Sequence, residues 1–198
     1  MSMAEIKIVE EAKKQAGMNP RKFALWLFMV SVIMIFGALT SAYIVRQAEG
    51  NWLNFEMPTM FWITTTIILT SSLTMHWAFF AAKKDNTEKA KVAMSITVIL
   101  GIAFVIGQFL GWQELVANGV YLVGRDASGV SGSFLYIISG LHGLHVISGV
   151  IFLIVVLVAV FQFKVHSKRL AQIEMCTTYW HFLDALWLYL FLFLLLNR

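Results

Sequence analysis

Ser133-Phe-Leu-Tyr-Ile-Ile-Ser-Gly-Leu-His-Gly-Leu-His-Val-Ile-Ser-Gly149 opens a run that continues to Phe163 without one Asp, Glu, Lys or Arg. The hydrocarbon core of a bilayer is crossed by about 20 apolar residues in helical form, so this run spans it with turns to spare. Two histidines, His142 and His145, stand three apart in its middle and therefore share a helix face. Ser139, Gly140, Gly143, Ser148 and Gly149 crowd around them. Polar groups at membrane depth are expensive and need partners. The nature of that partner, whether a metal, a proton path or another helix, is the functional question.

The rest of the chain agrees with a membrane setting. Of 198 residues, 59% are hydrophobic and 13% charged, and the mean hydropathy is +0.76. Such a balance suits a polytopic helical membrane protein. Cys176 is the one cysteine, which excludes an intrachain disulfide and a thiolate metal cluster built from this chain alone. The first apolar run begins at Phe23 and is too long for the h-region of a cleavable signal.

Five spans are expected, at 23–45, 58–82, 92–115, 133–163 and 175–196, each long enough to cross. Pro20 and Pro58 fall at the starts of two of them, where a missing N–H costs nothing. The fourth is long enough to require tilt, or an end outside the membrane. Basic residues set the direction. Twelve of the fifteen Lys and Arg fall in the N-terminal segment, the second loop and the fourth loop. Arg46, Arg125 and Arg198 stand singly in the alternate segments. This alternation predicts a cytoplasmic N-terminus and an outside C-terminus. It also accounts for the net charge of +4 without nucleic-acid binding. The expected organisation is an all-α protein with a cytoplasmic segment 1–22, read as a solvated helix, and a membrane domain 23–198.

Other polar residues mark where helices meet. Gly37 and Ser41 have the small-xxx-small spacing that permits close helix approach. The second span is rich in Ser and Thr from Thr64 to Thr74, whose hydroxyls can bond their own preceding carbonyls. His76 lies near the cytoplasmic end, within reach of the interface. Gln108 and Glu114 sit in the outer half of the third span, and the Gly-rich segment 116–132 with its Arg125-Asp126 pair reads as a loop. The fifth span places Glu174, Thr177, Thr178, His181 and Asp184 on one face, flanked by Trp180 and Trp187. A His with an Asp one turn away invites a charge-assisted pair or a neutral hydrogen bond.

Several readings of these residues compete. Haem ligation would join His142 or His145 to His181, yet a dihaem arrangement wants a second pair. A hydrolytic metal site of the His-Glu-x-x-His kind would want a carboxylate beside the histidines. A proton channel would want a chain of acids, and Asp184 is the deep one. Hydrogen bonding between packed helices needs nothing further, because polar side chains commonly hold transmembrane helices together.

Ser139–Gly149, preceded by Ser131-Gly132-Ser133-Phe134, resembles the Gly-Phe-His-Gly-Leu-His-Val helix of cytochrome c oxidase subunit III. Glu174 followed by Tyr179-Trp180-His181-Phe182-Leu183-Asp184-Ala185-Leu186-Trp187 resembles the last helix of that subunit. Weaker similarity covers Leu69-Thr70-Ser71-Ser72-Leu73-Thr74, and Leu100-Gly101 with Phe104 and Gln108. The resemblance runs from about Phe23 to the C-terminus and looks like the short, five-helix form, lacking the first two helices and so half of the lipid cleft.

It implies a non-redox accessory subunit of a proton-pumping haem–copper oxidase in a bacterial cytoplasmic membrane. Such a subunit binds no haem or copper, packs on subunits I and II, holds phospholipid and supports proton uptake, within a larger respiratory supercomplex in some settings. His142, Gly143, His145, Glu174, Trp180, His181 and Asp184 are then structural, subunit or lipid contacts. A quinol oxidase subunit III, a nitric-oxide-reductase activation protein and a free-standing haem-binding cytochrome are the alternatives. Two departures stand out. The family's Leu-Phe-x-x-Ser-Glu pattern is met by Leu27-Phe28-Met29-Val30-Ser31-Val32, and Gln-x-x-Glu-Tyr is met by Gln108 with Gly111-Trp112.

Overall fold

A computed structural model describes residues 19–50, 52, 56–123, 127–162 and 170–197. The N-terminal segment before Asn19 and the Arg125-Asp126 pair lie outside the described residues. Five helices follow in chain order: α1 (Pro20–Ala48), α2 (Thr59–Lys83), α3 (Thr87–Ala117), α4 (Ala127–Phe161) and α5 (Ala171–Leu196). Four of them, α1, α3, α4 and α5, are long and apolar enough to cross a membrane. The Ser/Thr content that lowers the hydropathy of α2 is internally satisfied: Thr65, Thr66, Thr70 and Thr74 each donate to a carbonyl three or four residues back.

Local chemistry explains the helix ends. Asn19 accepts from Arg21 N at 3.1 Å with Pro20 at the first helical position, so α1 starts where its free N–H groups are met. The α2–α3 hairpin uses three residues. Asp85 stands at φ 52°, and Asn86 N and Asp85 N reach back to Ala81 O and Ala82 O at 3.0 and 3.1 Å. Asn86 then caps α3 by accepting from Lys89 N at 3.2 Å. At the far end of α3, Gly119 takes φ 80°, and Val120 N and Gly119 N bond Leu115 O and Val116 O. Both ends are Schellman closures, which need a left-handed residue after the cap.

The fourth helix differs from expectation. It spans 35 residues and begins at Ala127, inside the Gly-rich stretch 116–132 read as loop. Gly132 lies directly on the Tyr121 carbonyl, where a Cβ could not fit. The extra turns come from this end, while the other end stops at Phe161.

The core lies where α2, α3, α4 and α5 meet. Trp180 and Trp187 of α5 are its largest fully buried side chains. Glycines admit them and their neighbours: a Cβ on Gly101 would meet the Trp180 ring at 2.8 Å, and one on Gly149 would meet Leu183 at 2.7 Å. Helix α1 is attached differently. It touches α4 and α5 but neither α2 nor α3, and it buries Val32, Phe36 and Tyr43 in a smaller cluster with Ile138, Leu186, Leu190 and Phe193. Gly37 and Ser41, expected at a close helix contact, are exposed, and no side chain approaches a Cβ built on Gly37.

Candidate functional site

The two motifs of the sequence meet in space, because α4 and α5 are packed neighbours. His142 is 0% exposed. Its ring stacks on Trp187 at 5.3 Å and takes the edges of Phe36 and Phe104 at 6.4 and 6.2 Å. Neither ring nitrogen has a hydrogen-bond partner among the described residues. Side chains of α1, α3 and α5 thus close around one imidazole of α4. His145, one turn on, bonds the Leu141 carbonyl through Nδ1 at 2.7 Å and lies against Phe28 and Phe36.

The small residues around these histidines divide. Gly149 sits under Leu183 and Trp180, so the α4–α5 approach depends on it. Gly143 has nothing within 4 Å of a Cβ position. With Gly140 it borders a groove of about 290 Å³ against Phe104, Gln108 and Trp112.

On α5 the polar face splits by depth. Glu174 forms an ion pair with Lys22 at 2.7 Å, which joins the starts of α5 and α1. His181 Nδ1 lies 2.6 Å from Ser72 Oγ of α2. Asp184 is 3% exposed, and neither carboxyl oxygen has a hydrogen-bond partner among the described residues. His181 Nδ1 stands 4.0 Å from Asp184 Oδ2. That separation permits Coulomb attraction between charged forms but is too long for a hydrogen bond. Of the two pairings expected inside α5, the hydrogen bond is not formed at this distance, and Ser72 of α2 gives His181 one between helices instead.

The serines and threonines of α2 do more than their composition suggests. Thr65 donates to Phe61 O at 2.7 Å and still accepts from Trp187 Nε1 at 3.0 Å. Thr64 donates to the same carbonyl at 3.2 Å and accepts from Gln108 Nε2 at 3.0 Å. Ser71 accepts from Trp180 Nε1 at 3.1 Å, and Thr74 meets Thr97 at 2.9 Å. A hydroxyl has one hydrogen and two lone pairs, so a local bond does not exhaust it. Sequence reasoning counted only the local bond. The signal that finds the rest is the pair of donor-only indoles at 180 and 187, each needing an acceptor when buried. Glu114 accepts from Thr59 N and Met60 N at 3.0 and 3.2 Å and so caps the start of α2.

The two departures have structural substitutes. Val32 is 1% exposed in the α1 cluster. Gly111 is pressed by Phe61, whose ring would lie 2.5 Å from a Cβ there, so a longer side chain would displace that ring. Among the described residues no group of three His, Cys, Asp or Glu is placed to hold a metal ion.

This fold and site define a helical integral membrane protein whose intramembrane polar groups tie one helix to the next. The chain belongs to the cytochrome c oxidase subunit III family, whose profile it matches over residues 8–197. It is 29% identical over 179 residues to the probable quinol oxidase subunit 3 of Staphylococcus saprophyticus, covering 87% of each chain. It is 36% identical to the cytochrome c oxidase subunit 3 of Osphranter robustus over 86% of this chain and 67% of that one. To the probable cytochrome c oxidase subunit 3 of Nocardia farcinica it is 32% identical over 83% and 82%.

Proposed function

We propose that the chain is the non-redox accessory subunit of a haem–copper terminal oxidase, stabilising the catalytic subunit, holding phospholipid and supporting proton uptake. The family match over residues 8–197 carries this reading. The engagement of His145, His181, Trp180 and Glu174 with protein groups supports a structural role for these side chains. In this reading all five helices cross the bilayer, α2 included, with the N-terminus in the cytoplasm and the C-terminus outside. The membrane is the bacterial cytoplasmic membrane. The partners are subunits I and II, which hold the haem and copper, and phospholipid.

The test is purification of the native complex through a tag on this chain. Haem and copper in co-purifying subunits are the expected result, and their absence from every partner overturns the reading. The electron donor is a separate matter. A quinol donor is the second reading, carried by the likeness to the staphylococcal protein named a probable quinol oxidase subunit 3, beside two relatives named cytochrome c oxidase subunit 3. Oxygen uptake by the complex with quinol against reduced cytochrome c decides between them.

A further inference from the structure

Helices α1 and α2 both pack on α5 and do not touch each other. The outer side of α5 between them is therefore the floor of a trough. Toward α1, a cavity of about 280 Å³ is lined by Ile33, Phe36, Gly37, Ala185, Leu186 and Tyr189. Gly37 and Ala185 have almost no side chain, so the walls stand apart at that level. Toward α2, the trough carries polar groups. The His181 side chain is 34% exposed. His76, one turn beyond Ser72 on α2, is exposed with its ring 6.0 Å from that of His181. Asp184 lies behind them, buried and without a hydrogen-bond partner among the described residues.

These groups lie inside the apolar spans. His181 and His76 each stand six residues within the expected spans 175–196 and 58–82, about 9 Å at 1.5 Å per residue. Among the described residues only the Nδ1 edge of the His181 ring is engaged, by Ser72. Hydrocarbon offers no hydrogen bond to the other edge, and imidazoles at such depth face protein or a wet cavity. Small residues beside a polar side chain are also what a transmembrane helix needs in order to seat closely and be held.

We propose that this trough seats a transmembrane helix of another oxidase subunit, packed against Gly37 and Ala185, with a carboxyl or hydroxyl side chain meeting His181 and His76. The proposal rests on the accessory-subunit reading and deepens it by assigning the docking face to α1, α5 and α2. The outward sides of α3 and α4, where Ile99 and Ile151 are exposed, face lipid.

The test uses the complete complex in native membranes. Photoactivatable benzoylphenylalanine replaces Ile33 on the α1 wall or Leu69 on the exposed side of α2, two turns before His76. The same probe at Ile99 and Ile151 gives the controls. Crosslinks to another oxidase subunit from Ile33 and Leu69, and none from the controls, are expected. Crosslinks from Ile33 and Leu69 to phospholipid alone, or to protein from the controls alone, overturn the proposal. Joint His76→Leu and His181→Leu substitution lowers co-purification of this chain with the haem-bearing subunits roughly tenfold, and joint His76→Gln and His181→Gln restores most of it. Equal retention of both double variants overturns the polar contact. Loss of haem-bearing partners from the unsubstituted chain overturns the accessory-subunit reading itself, whereas loss of the crosslinks with those partners still present overturns the trough alone.

Discussion

His142 and His181 are the same residue on neighbouring helices, and their surroundings are opposite. His142 is sealed by Trp187, Phe36 and Phe104 with no polar partner among the described residues. His181 is partly open and bonded to a serine of another helix. The first therefore acts through its shape and the second through its hydrogen bond. A histidine in a membrane helix is a polar joint only when the facing helix brings a partner to the same depth.

The strongest way to break this comparison is at His142. His142→Ala empties a ring-sized space among three aromatic groups, and the expected loss is about 2–4 kcal/mol, as for other large-to-small core changes. His142→Phe keeps a ring and removes two nitrogens that have no partner among the described residues, so the expected change is under about 1 kcal/mol, of either sign. Thermal unfolding of the chain in mild detergent measures both. If the two variants are equally damaged, the ring nitrogens of His142 are needed and the contrast with His181 fails.

A second probe sharpens the contrast within α4. Gly149→Leu drives atoms into Leu183 and Trp180, an overpacking expected to cost about 1–3 kcal/mol and to loosen α4 from α5. Gly143→Leu projects into the open groove beside Phe104 and Trp112 and is expected to stay within about 0.5 kcal/mol. Melting temperatures of the two variants in the same detergent give the comparison. A Gly143 variant as unstable as the Gly149 variant would show that the glycine stripe is closed on both sides.

At His181 the expected effect is smaller. Interhelical hydrogen bonds in membrane proteins average about 0.6 kcal/mol and reach about 1.7. Ser72→Ala and His181→Phe should each weaken the fold by an amount in that range. Their combination should cost less than the sum of the two, because one bond is lost twice in the bookkeeping. A double-mutant cycle on urea unfolding reads this coupling, and strict additivity would mean that the Ser72–His181 contact contributes nothing.

These contrasts mark what a sequence can and cannot say. The long helices were legible because length and apolarity are local properties, and Pro20 marks the start of α1 on its own. The α2–α5 pairing was not legible. Trp187 with Thr65, Trp180 with Ser71 and His181 with Ser72 all depend on the register of two antiparallel helices more than a hundred residues apart in the chain. The start of α4 was misread for a related reason. Ala127-Ser-Gly-Val-Ser-Gly-Ser133 has loop chemistry by local preference, and a tertiary contact, Gly132 on the Tyr121 carbonyl, favours the helix. A charge-assisted pair or a hydrogen bond between His181 and Asp184 was expected from spacing alone, and spacing does not reveal that Ser72 competes for the same nitrogen.

The smallest effect is expected where α1 meets α5 outside the core. Lys22 and Glu174 form an ion pair with side chains 36% and 46% exposed. Exposed pairs contribute about 0–1 kcal/mol, reduced further by salt. Glu174→Gln should therefore change the unfolding midpoint little, and the change should vanish near 1 M salt. Helix α1 is otherwise held by Thr40 to Tyr189, by Tyr43 and Gln47 to the Asn197 carbonyl, and by Phe36 against His142 and His145. Those contacts sit deeper or at the opposite end, so α1 should remain docked. Protease or thiol-labelling access to the start of α1 provides the measurement. If Glu174→Gln frees α1 even at high salt, this pair contributes more than its exposure implies, and the polar joints of this protein are not ranked by depth as His181 and Glu174 suggest.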